Sequence, residues 1–227
     1  MEAMRYTTST EVGREEALEA AASAIQRGGL VVIPTDTVYG LAADAFDQQS
    51  VQALLDTRGQ GRNAPPAVLI SSATTLDALA AGVPEYARRL VDRFWPGPLT
   101  IVCKQQPSLQ WDLGDTRGTV AVRMPDHRLA LELLERTGPM AVSSASLTGH
   151  LAATDADQAE EMLGDEVVVI IDDGPSPGGL TSTIVDVRGI NGKILRTGAL
   201  SLEELNDAIE GFDAKIEDED QMETPSQ

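Results

Sequence analysis

The sequence is short of aromatic residues (4%), of cysteine (one) and histidine (two), and of positive charge, with 17 lysines and arginines against 36 aspartates and glutamates. Each shortage excludes something. A lone Cys103 cannot close an internal disulfide, and a thiolate zinc site has too few ligands. His127 and His150 lack metal-pair spacing, so each reads as a loop or surface residue and no metal is expected from protein ligands. A formal net charge of −19 would repel phosphates from any uniform nucleic-acid-binding surface. Long apolar runs are missing as well. Val167–Ile171 is a typical one, whereas a membrane span needs about 20 residues. The start, MEAMRYTTSTEVGREE, has no basic stretch followed by an apolar one, which reads against a secretory signal. No membrane association and a reducing, cytoplasmic setting are expected.

Standard catalytic signatures are absent too. There is no G-x-x-x-x-G-K-[ST], no G-x-S-x-G and no H-E-x-x-H. Gly59–Ala64 matches G-x-G-x-x-A, but a helical stretch precedes it and Pro65-Pro66 follows, where a dinucleotide site requires strand, turn and helix. Cys103 falls inside an apolar run and reads as a small packed side chain.

What is present is a globular composition, 42% hydrophobic and 23% charged over 227 residues. Periodicity predicts helices over Arg14–Arg27, Gln48–Thr57, Leu76–Ala81, Pro84–Trp95, His127–Thr137, Asp155–Leu163 and Leu202–Ile209. Strands are predicted over Leu30–Ile33, Ala67–Ile70, Leu99–Lys104, Thr119–Met124, Met140–Val142, Val167–Ile171, Ser182–Val187 and Lys193–Arg196. The alternation argues an α/β fold, with some antiparallel pairing where spacing is short. No linker divides the chain, so residues 1–211 read as one domain. Residues 212–227 read as an acidic, disordered tail.

Arginines and hydroxyls gather at the strand ends. Pro34-Thr35-Asp36-Thr37 follows the first predicted strand; Arg58 and Arg62 close a helix; Arg123 and Arg196 end strands. The hydroxyl runs Ser143-Ser144-Ala145-Ser146 and Thr181-Ser182-Thr183 stand at two more. Ligands of open α/β sheets bind beyond such ends, and guanidinium forks suit phosphate or carboxylate. Taken singly, each is as well read as a solvated charge or a turn residue.

Six segments in order shift that balance: Gly29-Leu-Val-Val-Ile-Pro-Thr-Asp-Thr-Val-Tyr-Gly-Leu-Ala-Ala-Asp44, Phe94-Trp-Pro-Gly-Pro-Leu-Thr100, Thr119-Val-Ala-Val-Arg-Met-Pro125, Gly138-Pro-Met-Ala-Val-Ser-Ser-Ala145, Ser182-Thr-Ile-Val-Asp186, and Ile194-Leu-Arg196 with Gly198. Together they resemble the YrdC-like family, the L-threonylcarbamoyladenylate synthases, in its single-domain form. The resemblance implies a twisted, open mixed sheet flanked by helices around a large basic cavity. It implies an enzyme, a nucleotidyltransferase that makes threonylcarbamoyl-AMP and pyrophosphate from L-threonine, bicarbonate or CO2, and ATP. Mg²⁺ would be bound mainly through ATP. The product would feed a downstream threonylcarbamoyl transferase complex that modifies tRNA beside the anticodon, with at most weak contact to tRNA itself.

The same resemblance marks Thr37, Arg123, Val142 (by its backbone) and Ser182 as threonine contacts. Arg58, Thr119, Ser144 and Arg196 become nucleotide contacts, with Thr35, Asp36 and Gln60 behind them; Arg62 is added to the nucleotide contacts on the charge a triphosphate needs, not on the resemblance. The family pattern has an arginine where Gln60 stands and an asparagine where Ala64 stands. Gly59 and Gly61 are expected to let Arg62 swing into the space left by Gln60. The alternative is an RNA-binding or ribosome-assembly factor using the same concave basic surface.

Overall fold

The computed structural model describes residues 3–218. The chain begins with β1 (Met4–Thr7), α1 (Glu11–Gln26), β2 (Val31–Ile33), β3 (Gly40–Asp44), α2 (Gln48–Thr57) and β4 (Ala67–Leu69). A 3-10 turn (Ala73–Thr75) leads into α3 (Leu76–Leu79), β5 (Ala80–Ala81), α4 (Glu85–Phe94), β6 (Leu99–Gln105) and β7 (Thr119–Arg123). Then come α5 (Arg128–Thr137), β8 (Met140–Ser144), α6 (Ala156–Leu163) and β9 (Val169–Asp172). The last elements are β10 (Thr183–Asp186), β11 (Gly192–Arg196), α7 (Leu202–Ala208) and β12 (Ile216–Glu217). Helix starts carry the expected caps. The Thr10 and Asp155 side chains accept from the third backbone N–H beyond, and Ser201 with Glu204 forms a capping box.

All the strands join one mixed sheet in the order β1-β9-β2-β3-β8-β4-β7-β6-β10-β11-β12, with β5 on the side of β6. The β1/β9, β9/β2, β4/β7, β6/β10 and β11/β12 pairs are parallel, and the others antiparallel. The sheet is open, as the resemblance implied.

Side chains alternate across the sheet and sort into separate cores. Val31 and Ile33 of β2 pack with α1 and α5, while Val32 between them packs with α2 and α6. Val120 and Val122 of β7 face α4 among the residues of the third core. Truncating a fully buried member such as Leu133 to alanine costs about 2–5 kcal/mol. That alternation leaves Thr119, Ala121 and Arg123 on the opposite face of β7, away from the third core. Residues of that face build the site described below.

Several expectations need correction. The chain places strands at Met4–Thr7 and Gly40–Asp44, where none was predicted, and carries β8 on to Ser144. Pro84 is the N-cap of α4, not its first residue. Disorder from residue 212 does not hold for 212–218. Ile216 is buried and pairs with Gly192, and Asn206 brackets it by donating to the Ile216 carbonyl and accepting from its N–H. The remainder of the expected tail lies outside the described residues. Among those described, no helix is long and apolar enough to cross a membrane.

Candidate active site

Two of the concavities contrast in charge. The larger, about 690 Å³, lies between the C-terminal ends of α2 and α6 and is bordered by Asp56, Glu160, Glu161, Asp165 and Glu166. Its charge repels an anion. The second, about 220 Å³, opens at the ends of β2, β7, β8 and β11 and is the basic one. It gathers Thr37, Arg123, Val142, Ser182, Arg58, Ser144 and Arg196 from segments scattered over 160 positions of the chain, together with Thr35 and Gln60.

Three arginines set its electrostatics, and each is held differently. Arg123, at the end of β7, donates Nε to the Gly97 carbonyl (3.0 Å), Nη1 to Thr37 Oγ1 (3.0 Å) and Nη2 to the Asp36 carboxylate. Burial pushes its guanidinium below the ordinary value, and Asp36 pulls the other way. Arg196, at the end of β11, donates Nη2 to the Ser182 carbonyl (2.9 Å) and to Ser182 Oγ (3.0 Å). Arg58, just past α2, donates Nε to the Ser146 carbonyl (2.9 Å) and Nη1 to Gln60 Oε1 (3.0 Å) and Ser143 Oγ. Burial lowers both of these guanidiniums. Arg123 repels Arg196, and Arg196 repels Arg58.

So three cations, each repelled by a neighbour, line one concavity, and among the described residues the carboxylate that meets them is Asp36, against Arg123. Arg58 and Arg196 rest on neutral oxygens. A buried charge without an opposite partner is costly, and an anion entering the cavity would offset that cost.

Local backbone makes this arrangement possible. Thr35 Oγ1 donates to the Val38 carbonyl (2.6 Å) and accepts the Thr37 N–H (3.2 Å), fixing the turn that presents Thr37. Its hydroxyl is spent on shaping the turn. The segment around Gly178 lies directly over that turn. Gly179 N–H donates to the Thr37 carbonyl (3.1 Å), and a Cβ on Gly178 would stand 2.9 Å from the Asp36 carbonyl. Thr100 Oγ1 and Ser182 Oγ lie 2.8 Å apart, which couples β6 to the start of β10.

Three of the sequence-predicted residues do not border the cavity. Asp36 stands behind Arg123 as its counter-ion. Thr119 shares the Arg123 face of β7 but lies at the strand's other end, bonded to the Thr116 carbonyl (2.7 Å). Arg62 has not swung in beside Arg58. Its Nη2 sits 2.5 Å from Asp112, its Nη1 donates to Gln52 (3.2 Å), and its Nε lies 3.6 Å from Asp115. Thr100, Ser143, Ser146 and Thr181 belong to the site or brace it, and none was singled out. All stand inside hydroxyl runs or matched segments, so the signal was present but not resolved to single residues.

Known proteins give the arrangement its context. The Sua5/YciO/YrdC family model, described as telomere recombination, matches residues 23–198. The chain belongs to this family. A protein of Mycobacterium tuberculosis is 50% identical over 201 residues, 88% of this chain and 92% of its own. It bears a provisional name as a threonylcarbamoyl-AMP synthase. The threonylcarbamoyl-AMP synthase of Pyrococcus abyssi is 38% identical over 190 residues, 83% of this chain and 56% of that protein. A crystal structure of P. abyssi Sua5 complexed with L-threonine superposes with a TM-score of 0.86 at 34% identity, covering 96% of this chain and 63% of that one.

Proposed function

We propose that this chain is a transferase that condenses L-threonine, bicarbonate or CO2, and ATP into threonylcarbamoyl-AMP and pyrophosphate. The observation that carries the reading is that Arg58, which is buried, and Arg196, which is exposed, both line the cavity on neutral hydrogen-bond partners beside the buried Arg123–Asp36 pair.

The chemistry needs no protein nucleophile. The threonine amine forms an N–C bond to CO2 and gives up a proton, or to bicarbonate with loss of water, giving a carbamate. A carbamate oxygen then attacks the α-phosphorus, and the bond from that phosphorus to the bridging oxygen breaks to release pyrophosphate. An anion has to approach a polyanion, so the protein's work is charge neutralisation and alignment. Arginines suit it because they keep their proton beside phosphate. Thr37, Arg123, Val142 and Ser182 would hold threonine. Arg58, Ser144 and Arg196 would hold the phosphates. The cavity falls below the usual 300–1,000 Å³ of ligand sites, so the adenosine would extend along β7 towards Thr119. Among the described residues no cluster of three or more His, Cys, Asp or Glu could hold a metal, and Asp36 is taken by Arg123. Mg²⁺ would therefore arrive on the triphosphate, and no protein-held metal enters the scheme.

The product would feed a threonylcarbamoyl transferase complex acting on tRNA in the cytoplasm. The test is pyrophosphate release by purified protein, with threonine, bicarbonate and ATP omitted in turn. Release that needs all three is the expected result. Release indifferent to threonine would overturn it.

A further inference from the structure

Arg62 and Asp112 join two loops that flank the cavity, and nothing in the scheme above uses them. Residues 59–66 carry Gln60, Pro65 and Pro66 into the cavity wall, and Gln60 accepts from Arg58. Residues 106–118 lead into β7, which carries Thr119, Ala121 and Arg123. Asp112 is the hub between them. It takes Arg62 Nη2 at 2.5 Å, Gln48 Nε2 at 2.8 Å and the Gly114 N–H at 3.0 Å. The Arg62 hydrogen bond is the largest influence holding its carboxyl below the usual carboxylate range. Backbone reinforces the side chains, since Asp115 N–H donates to the Arg62 carbonyl at 2.7 Å. The approach is close enough to need glycine at 114. Its φ is +101°, and a Cβ there would stand 2.7 Å from the same carbonyl. Beside this contact, Phe46 and Trp111 stack at 5.3 Å and seat the second loop near the start of α2.

We infer that Arg62, Asp112 and Gly114 form a clasp that sets the spacing between the Arg58–Gln60 wall and the Thr119 end of β7. Arg62 is then a positioning residue for the nucleotide and not a ligand of it. This rests on the nucleotide reading of the cavity. The clasp charges are exposed enough that breaking them should leave the fold intact. Misplacing one wall of a site should be felt by the ligand that spans both.

The experiment compares wild type, Arg62→Ala, Asp112→Asn, Gly114→Ala and the exchange Arg62→Asp with Asp112→Arg, measuring ATP binding directly and the KM for ATP and threonine in pyrophosphate release. The clasp predicts that the three single variants weaken ATP about tenfold and leave the KM for threonine within about twofold. The exchanged pair should recover part of the Arg62→Ala loss, because it restores the ion pair while an arginine at 112 cannot accept from Gln48 or the Gly114 N–H. If Arg62→Ala loses ATP while Asp112→Asn does not, Arg62 is a direct ligand and the clasp is wrong. If none of the variants differs from a wild type that binds ATP, the two loops do not set the site. A wild type that binds no ATP overturns the function proposed above and leaves no nucleotide site for the clasp to position.

Discussion

Two groups of arginines in this chain contrast in their partners. At the surface Arg5, Arg62, Arg88, Arg136 and Arg188 each meet at least one carboxylate, as a chain with 36 acidic residues makes easy. In the cavity the buried Arg58 and the exposed Arg196 meet backbone carbonyls, hydroxyls and the Gln60 amide, although for Arg58 burial makes an opposite charge more valuable. Their proton affinities diverge accordingly. Carboxylate hydrogen bonds raise Arg5, Arg62, Arg136 and Arg188 above the ordinary value, whereas burial lowers Arg58 and Arg196. In so acidic a protein, leaving two cavity-lining guanidiniums on neutral partners marks where an external anion belongs.

Arg123 stands between the two groups, buried yet paired, and it offers the largest test of the contrast. Asp36→Ala removes its counter-ion and strands a cation that is 6% exposed. Breaking a buried pair from one side costs about 3–5 kcal/mol, which a urea titration would read directly. A loss below about 1 kcal/mol would mean that Arg123 is as independent of carboxylates as its two neighbours.

The smallest expected effect lies at the surface. Arg5 ties β1 to Asp172, Asp157 and Glu160. Burial pushes the Asp172 carboxyl up, but the Arg5 fork and the Gly174 N–H outweigh it, and the net position is below the usual carboxylate range. A carboxyl lowered in the folded state stabilises the protein above its unfolded pKa, about 3.9, and that contribution is lost as pH falls through the lowered value. Arg5→Ala should therefore cost about 1 kcal/mol at neutral pH. The difference from wild type should close below about pH 3. A gap that persists in acid would assign the effect to packing of the Arg5 stem.

Much of this contrast was legible in the sequence, and the misses have physical causes. β2 and β9 were legible as apolar runs because their alternate residues enter different cores, and β7 because Val120 and Val122 face one core while Thr119, Ala121 and Arg123 face the other way. β3 escaped because Gly-Leu-Ala-Ala-Asp has little strand propensity of its own and is held by β2 and β8 on either side. β12 escaped because one isoleucine in an acidic stretch finds its partner 24 positions away. Arg58, Arg123 and Arg196 border the cavity, since each ends an element whose direction is fixed. Arg62 was misplaced. It sits in a loop, and the spacing of charges along the chain does not reveal that Asp112, 50 positions on, lies within reach.

The most direct measurement is a calorimetric titration of ATP into wild type, Arg58→Gln, Arg196→Gln and the surface control Arg136→Gln. Each cavity variant should lose about 1.5–3 kcal/mol of binding, the worth of one charge-assisted contact. Thermal stability should be unchanged or higher in Arg58→Gln, because a buried cation without a carboxylate has been removed, and little changed in Arg196→Gln, where the side chain is exposed. The control should match wild type in affinity. ATP affinity that survives both cavity substitutions would contradict the claim that these two guanidiniums are held for an anion.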